Sequence, residues 1–263
     1  MDKPVLLITG GSSGMGKAIA KQFAEEGAFV AICARNGDKL TQAKQEIETF
    51  PGQVATYEVD VRNRADVEKM VTAIYESLGP LTGVVNNAAG NFLCPAEDLS
   101  ENGWKAVIDI VLHGTWHVTQ TVGKRWIADN TKGSIINIVA TYAWTGGPGV
   151  VHSASAKAGV LAMTKTLAVE WGSQYGIRVN AIAPGPIENT GGVEKLLQDE
   201  HAHAKAVKSI PLNRFGKTTE VAKLASYLLS PDGAYINGTC ITIDGGQHIG
   251  QSGFQTGAAT FRT

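Results

Sequence analysis

Seven short apolar runs, each separated from the next by a longer and more polar stretch, confine this chain to one class of fold. The runs are VLLIT (5–9), AFVAICA (28–34), QVATYEV (53–59), LTGVVNN (81–87), SIINIV (134–139), IRVNAIA (177–183) and TCITID (239–244). Such runs read as strands buried on both faces, which is the condition of a parallel sheet. Between them lie amphipathic segments of helix length, such as 15–26 and 63–78. Strand–helix alternation with short links predicts a doubly wound α/β sheet. No linker, low-complexity stretch or tandem repeat breaks the 263 residues, so residues 1–263 are expected to form a single domain.

Two helical segments carry more apolar surface than one packing face requires. Segment 103–128 has Val107, Ile110, Val111, Val118, Val122 and Trp126, and segment 153–172 is rich in Ala and Gly. Burial within the monomer would account for both; packing of one side on a second subunit is the favoured expectation. Segment 188–208 interrupts the alternation between the sixth and seventh runs and is polar, with Gly191-Gly192 as a hinge. Following a strand's carboxyl end, it is expected to act as a lid over a site.

Charge and cysteine usage narrow the function. A net charge of −1 offers no basic field, so nucleic acid is not an expected partner. Cys33, Cys94 and Cys240 are odd in number and widely spaced, which suits free thiols in a reducing compartment. Met1-Asp2-Lys3 leads directly into a strand-like run, and no apolar run approaches membrane-spanning length. A cytoplasmic protein without membrane attachment is expected.

The chemistry-bearing residues gather at the carboxyl ends of the runs. TGGSSGMG follows the first run and opens a helix. Gly10, Gly14 and Gly16 permit a tight turn and close backbone approach, and the helix start, with Ser12, Ser13 and Met15, suits a pyrophosphate. The second run ends in Arg35 where an acidic residue would grip a ribose hydroxyl. A cation there pairs with a 2′-phosphate, which selects NADPH. Asp60-Val61, the stretch Asn87-Ala88-Ala89-Gly90, and Pro184-Gly185-Pro186-Ile187 follow the third, fourth and sixth runs, where such sheets bind ligands. Asp60 suits an adenine amino group. After the fifth run comes Tyr142, and eleven residues later Ser153 and Lys157 at i, i+4 spacing, on one face of a helix. A Tyr hydroxyl near a Lys ammonium suits proton delivery or oxyanion binding. His113 and His117 share that spacing, but no third ligand accompanies them, and no metal site is expected.

With these residues in place, the chain resembles the short-chain dehydrogenase/reductase family over nearly its full length. The resemblance rests on Gly10, Gly14, Gly16, Asp60, Asn87 to Gly90, Lys157 and Pro184-Gly185. It implies a Rossmann-like sheet and a homotetramer. Typical members carry Tyr four residues before the Lys; here that position is Ser153, and the Asn usual on the preceding long helix is replaced near Val111. Asn91-Phe92, Thr141-Tyr142, Ser153 to Lys157 and Pro184 to Ile187 together look like the 2,4-dienoyl-CoA reductase branch, where the active Tyr is displaced to the position of Tyr142.

The resemblance to that branch implies that Tyr142 and Asn91 hydrogen-bond a thioester oxygen. It also implies that Lys157 binds the nicotinamide ribose with Ser153 in support. Arg62, Phe92, Ser100 and Lys195 fall on the branch's substrate-contact positions, Lys195 standing where an Arg is usual. The implied activity is NADPH-dependent reduction of a 2,4-dienoyl-CoA to a 3-enoyl-CoA in the β-oxidation of unsaturated fatty acids, with an acyl-CoA thioester as partner. Two alternatives stay open: another short-chain reductase acting on a carbonyl or conjugated substrate, and a non-catalytic NADP(H)-binding sensor.

Overall fold

The computed structural model describes residues 3–191 and 200–250. Strand β1 (Val5–Thr9) leads to helix α1 (Gly14–Glu25), β2 (Phe29–Ala34) to α2 (Gly37–Ile47), and β3 (Val54–Glu58) to α3 (Arg64–Ser77). After β4 (Gly83–Asn86) come α4 (Glu101–Ile108), a π turn (Asp109–His113) and α5 (Gly114–Ala128). Strand β5 (Ser134–Ile138) precedes the short α6 (Tyr142–Thr145) and the long α7 (Val151–Tyr175). Then follow β6 (Arg178–Pro184), α8 (Glu200–Lys208), α9 (Thr218–Leu229), β7 (Cys240–Ile243) and α10 (Gln247–Gly250). Each expected strand is present, with its ends moved by no more than two residues.

The strands form one parallel sheet in the order β3-β2-β1-β4-β5-β6-β7. Side chains alternate along each strand, so each run feeds two cores. Leu7 and Val84 join Met70, Val118, Trp126 and Trp171 under α3, α5 and α7. Leu6, Ile8 and Val85 join Phe23, Leu40 and Leu228 under α1, α2 and α9. Strand order reverses between β1 and β4, and a crevice opens there at the carboxyl ends.

Segment 103–128 is interrupted by the π turn rather than forming one regular helix. Gly114 lies so close to Val61 that a Cβ would stand 2.6 Å from Val61 Cγ2, and Thr115 Oγ1 donates to Val111 O at 2.7 Å. The turn absorbs that approach. Part of the expected surplus apolar face is satisfied within the chain: Gly159 of α7 admits Leu112, whose Cδ1 would be 3.0 Å from an added Cβ. Val169, farther along α7, is 74% exposed. Within the expected lid 188–208, the described part includes α8; Gly192 and Lys195 lie outside the described residues.

Candidate active site

The crevice is a cleft of about 890 Å³ that runs from Arg35 at one end to Tyr142 at the other. Its floor is the glycine turn. Gly10 and Gly14 have φ of +64° and +52°, where a side chain is strained. At Gly16 a Cβ would stand 2.3 Å from Gly10 O, so the turn closes only without one. Ser13 is the N-cap of α1 yet makes no side-chain cap bond. The start of α1 therefore presents amide donors and the positive dipole end to the cleft, the arrangement that holds a phosphate.

The turn is tied to β4 by paired contacts. Thr9 Oγ1 accepts from the amides of Asn87 and Ala88 at 3.0 and 2.9 Å. Asn87 Nδ2 donates to Thr9 O and Gly10 O at 3.0 and 3.2 Å. Asn87 thus fixes the turn rather than offering only backbone to a ligand. Beside it, Ser12, Ser13, Gly14, Met15, Ala88 and Gly90 line the cleft, as do Pro184, Gly185, Pro186 and Ile187 on its far wall.

Arg35 is exposed at the end of β2, with Asn36 and Lys39 beside it in the lining. Asp60 and Val61 face the same end. Arg62 grips Asp60 through Nε at 3.0 and 2.9 Å and Nη2 at 2.5 Å. That guanidinium, outweighing partial burial, holds the Asp60 carboxyl below the usual range. Arg62 therefore stands at the Asp60 end of the cleft and outside its lining.

The opposite end holds the polar group. Tyr142 opens α6, and its hydroxyl lies 3.1 Å from Ser153 Oγ near the start of α7. Burial pushes the Tyr142 phenol up, partly offset by the Ser153 hydrogen bond. One turn on, Lys157 is 7% exposed and donates to Ile138 O at 2.5 Å. Burial brings its ammonium down to about 8. Asn91 lines the cleft as well, and its Oδ1 accepts from the Phe92 amide at 2.9 Å. Lys157, Tyr142, Ser153 and Asn91 are thus all brought to one end.

Phe92 and Ser100 are together but outside the cleft lining. The Phe92 ring lies 4.4 Å from that of His152, and Ser100 caps α4 by accepting from Gly103 N at 3.1 Å. An added Cβ on Gly103 would touch both residues. His113 pairs with Asp109 at 3.0 Å and His117 with Val61 O at 3.0 Å, so the two rings do not converge.

Ile110 of the π turn and Gln247 also line the cleft and were not expected there; Thr190, Gly191 and Ala206 of α8, which line it too, fall within the expected lid segment 188–208. Ala206 bears on the expected lid, for it brings α8 to the cleft. Gln247 follows a Gly-Gly pair after β7, a local sign of a turn and nothing more.

The residues present fit a dinucleotide. The turn without Cβ atoms, the uncapped start of α1 and the cation beyond β2 match the needs of a pyrophosphate and a further phosphate.

Known proteins fall into line with this geometry. A family model described as enoyl-(acyl carrier protein) reductase matches residues 10–248. A Bacillus subtilis protein named "Probable 2,4-dienoyl-CoA reductase [(2E)-enoyl-CoA-producing]" is 56% identical over 249 residues, 95% of this chain and 98% of its own. The peroxisomal 2,4-dienoyl-CoA reductase of Arabidopsis thaliana, named as (3E)-enoyl-CoA-producing, is 41% identical over 92% of this chain and 83% of its own. The crystal structure of a short chain dehydrogenase from Bacillus anthracis is 59% identical, with a TM-score of 0.86 over 93% of this chain and 96% of that one.

Proposed function

Since the chain belongs to the short-chain dehydrogenase/reductase family, an oxidoreductase family that binds nicotinamide nucleotides, we propose that it is a reductase of 2,4-dienoyl-CoA thioesters that draws on NADPH. The observation that carries this is the occupancy of the polar end: Tyr142 is hydrogen-bonded to the Ser at position 153, with the buried Lys157 one turn on. A Tyr at 153 would suit direct protonation of a ketone; the displaced Tyr suits hydrogen bonding to an oxygen that gains charge.

In this reading Gly10 to Gly16 hold the pyrophosphate, and Arg35 meets the 2′-phosphate, which a neutral or acidic residue would not attract. Asp60 and Val61 adjoin the adenine. Asn87, Ala88, Gly90 and Pro184 to Ile187 line the remaining length, and Lys157 meets the nicotinamide ribose. NADPH, when bound, supplies a hydride to the far end of the diene. Negative charge then moves through the conjugated system to the thioester oxygen. Tyr142 and Asn91 donate to that oxygen from fixed positions, each worth about 3–4 kcal/mol of barrier. Ser153 holds the Tyr142 hydroxyl in line. Protonation at the α carbon yields the 3-enoyl thioester.

Phe92 and Ser100 are assigned to the acyl and pantetheine side, and Arg62 and Lys195 to the phosphates of CoA. The proposal extends to a cytoplasmic homotetramer assembled through α5 and α7, supported by the exposed Val169. Among the described residues no helix is long and apolar enough to cross a membrane.

NADPH consumption with a 2,4-dienoyl-CoA, beside a 3-ketoacyl-CoA, tests the reading once the acyl product is identified. Dienoyl turnover to a 3-enoyl-CoA is expected. Turnover of the ketoacyl thioester alone would mean that the group acts on a carbonyl. The similar proteins carry both product names, so the position of the new double bond is the decisive readout.

A further inference from the structure

A second polar pair stands next to the Tyr142 end and has no part in the chemistry described so far. Asp244, just after β7, is 4% exposed in its side chain, and its Oδ2 lies 2.7 Å from His248 Nδ1. Three contacts locate the pair. Asp244 abuts Gly185 of the cleft wall, where an added Cβ would be 2.7 Å from Asp244 Cβ. The His248 ring meets Trp144 edge-on, centroids 5.9 Å apart at 88°, and Trp144 is on the same short helix as Tyr142. Gln247, the residue before His248, lines the cleft itself.

Asp244 also accepts from the amides of Gly246 and His248 at 2.9 and 2.8 Å, which closes the turn into α10. Turn closure needs only the carboxylate. It gives no reason for an imidazole wedged between that carboxylate and Trp144. A carboxylate on Nδ1 holds the ring hydrogen at that nitrogen, so Nε2 is left as the nitrogen that can take up and release a proton. With 23% of its side chain exposed, His248 can regain a proton from water.

We propose that His248, oriented by Asp244, is the acid that protonates the α carbon of the dienolate; this rests on the dienoyl-CoA reading above. The electron pair of the enolate forms the new C–H bond at C2, the thioester carbonyl re-forms, and the bond between C3 and C4 remains double. The N–H bond at Nε2 breaks and the imidazolium becomes neutral imidazole, which keeps its Nδ1 proton and donates it in a hydrogen bond to Asp244. Water then returns the proton to Nε2. No further oxidant or reductant takes part.

Run backward, the same step needs no nicotinamide. Neutral His248 would remove a C2 proton from a 3-enoyl-CoA, and the enzyme would exchange that position with solvent. The test follows loss of deuterium from C2-deuterated 3-enoyl-CoA by mass spectrometry, without cofactor, for wild type, His248→Ala and His248→Asn. Exchange is expected to slow about 100-fold in both variants. Added imidazole should restore the Ala variant, while NADPH affinity and melting temperature stay at their wild-type values. In turnover, the solvent isotope effect should grow in the variants as the proton step becomes limiting.

Wild-type exchange rates in both variants would overturn the proposal, as would slowed exchange that imidazole does not restore. If the wild type consumes NADPH with a dienoyl-CoA but the variants match it throughout, only the role of His248 falls. If the wild type neither turns over nor exchanges, the dienoyl-CoA reading falls and this inference with it.

Discussion

The hydroxyls of Tyr142 and Ser153 lie 3.1 Å apart, and they come from two helices that a Gly-Pro turn folds onto each other. The hydroxyl of Ser153 is buried, so its role is to hold the phenol rather than to meet a substrate. Tyr142→Phe is expected to lower kcat about 10²- to 10³-fold, the loss of one oxyanion donor. Ser153→Ala should cost only about tenfold, the worth of one neutral hydrogen bond that aims the donor. Steady-state kinetics with a dienoyl-CoA would check the ranking; equal losses would mean that Ser153 itself meets the substrate.

Lys157 makes a statement about stability as well as about the site. Burial lowers its ammonium from the usual 10.5 to about 8. Below about pH 8 both folded and unfolded chains hold the proton, and folding bears the full burial penalty. Between about 8 and 10.5 the unfolded chain binds more protons than the folded one, so this contribution to stability rises with pH. The penalty is about 3 kcal/mol at 1.36 kcal/mol per unit. Lys157→Met should therefore stabilise the fold near neutral pH by about 2 kcal/mol, since Ile138 O loses its donor at a cost of about 1. The advantage should shrink toward pH 10. Urea denaturation of both proteins at several pH values would show it, and a gap independent of pH would contradict it.

Arg35 is the only cation that β2 delivers directly to the cleft, and Lys39 stands one helical turn farther on. Arg35→Ala is expected to weaken NADPH binding about 10- to 100-fold, the worth of a charge-assisted contact, and to leave NADH nearly unchanged. Titration of both nucleotides by fluorescence would measure the ratio. If Lys39 shares the phosphate, the double variant will lose more than Arg35→Ala alone while NADH stays level.

The fold was legible because all seven strands are nearly continuous apolar runs, and alternation of strands and helices leaves little choice of topology. The cofactor end was legible for a local reason: glycine spacing in one contiguous turn. The polar end was less so. Tyr142 and Ser153 are eleven residues apart, and only the turn between α6 and α7 decides that they meet. Lys157 could be placed on the Ser153 face by spacing, but its bond to Ile138 O depends on how α7 seats on β5. Gln247 and His248 had no local signal beyond the Gly-Gly pair of a turn, for their position follows from the Asp244 turn. Arg62, which the resemblance gives to the substrate, is paired here with Asp60 two residues away, a contact that the resemblance does not supply.

Thr9 offers a test of what holds the crevice open at the reversal of strand order. Its hydroxyl oxygen accepts two amides, from Asn87 and Ala88, and the side chain is 2% exposed. Valine has nearly the same shape but no acceptor, so Thr9→Val would leave two half-buried amides without that partner. Each costs about 1–3 kcal/mol when orphaned. The chain can relieve that cost by moving the β4 loop away from the glycine turn, which would also draw Asn87 Nδ2 off Gly10 O. A loss of about 2–4 kcal/mol in urea denaturation is therefore expected, together with weaker binding of both NADPH and NADH. Thr9→Ser keeps the acceptor and should restore most of both. If Thr9→Val lowered stability but left nucleotide affinity intact, the clamp would be structural only, and the glycine turn would hold its shape unaided.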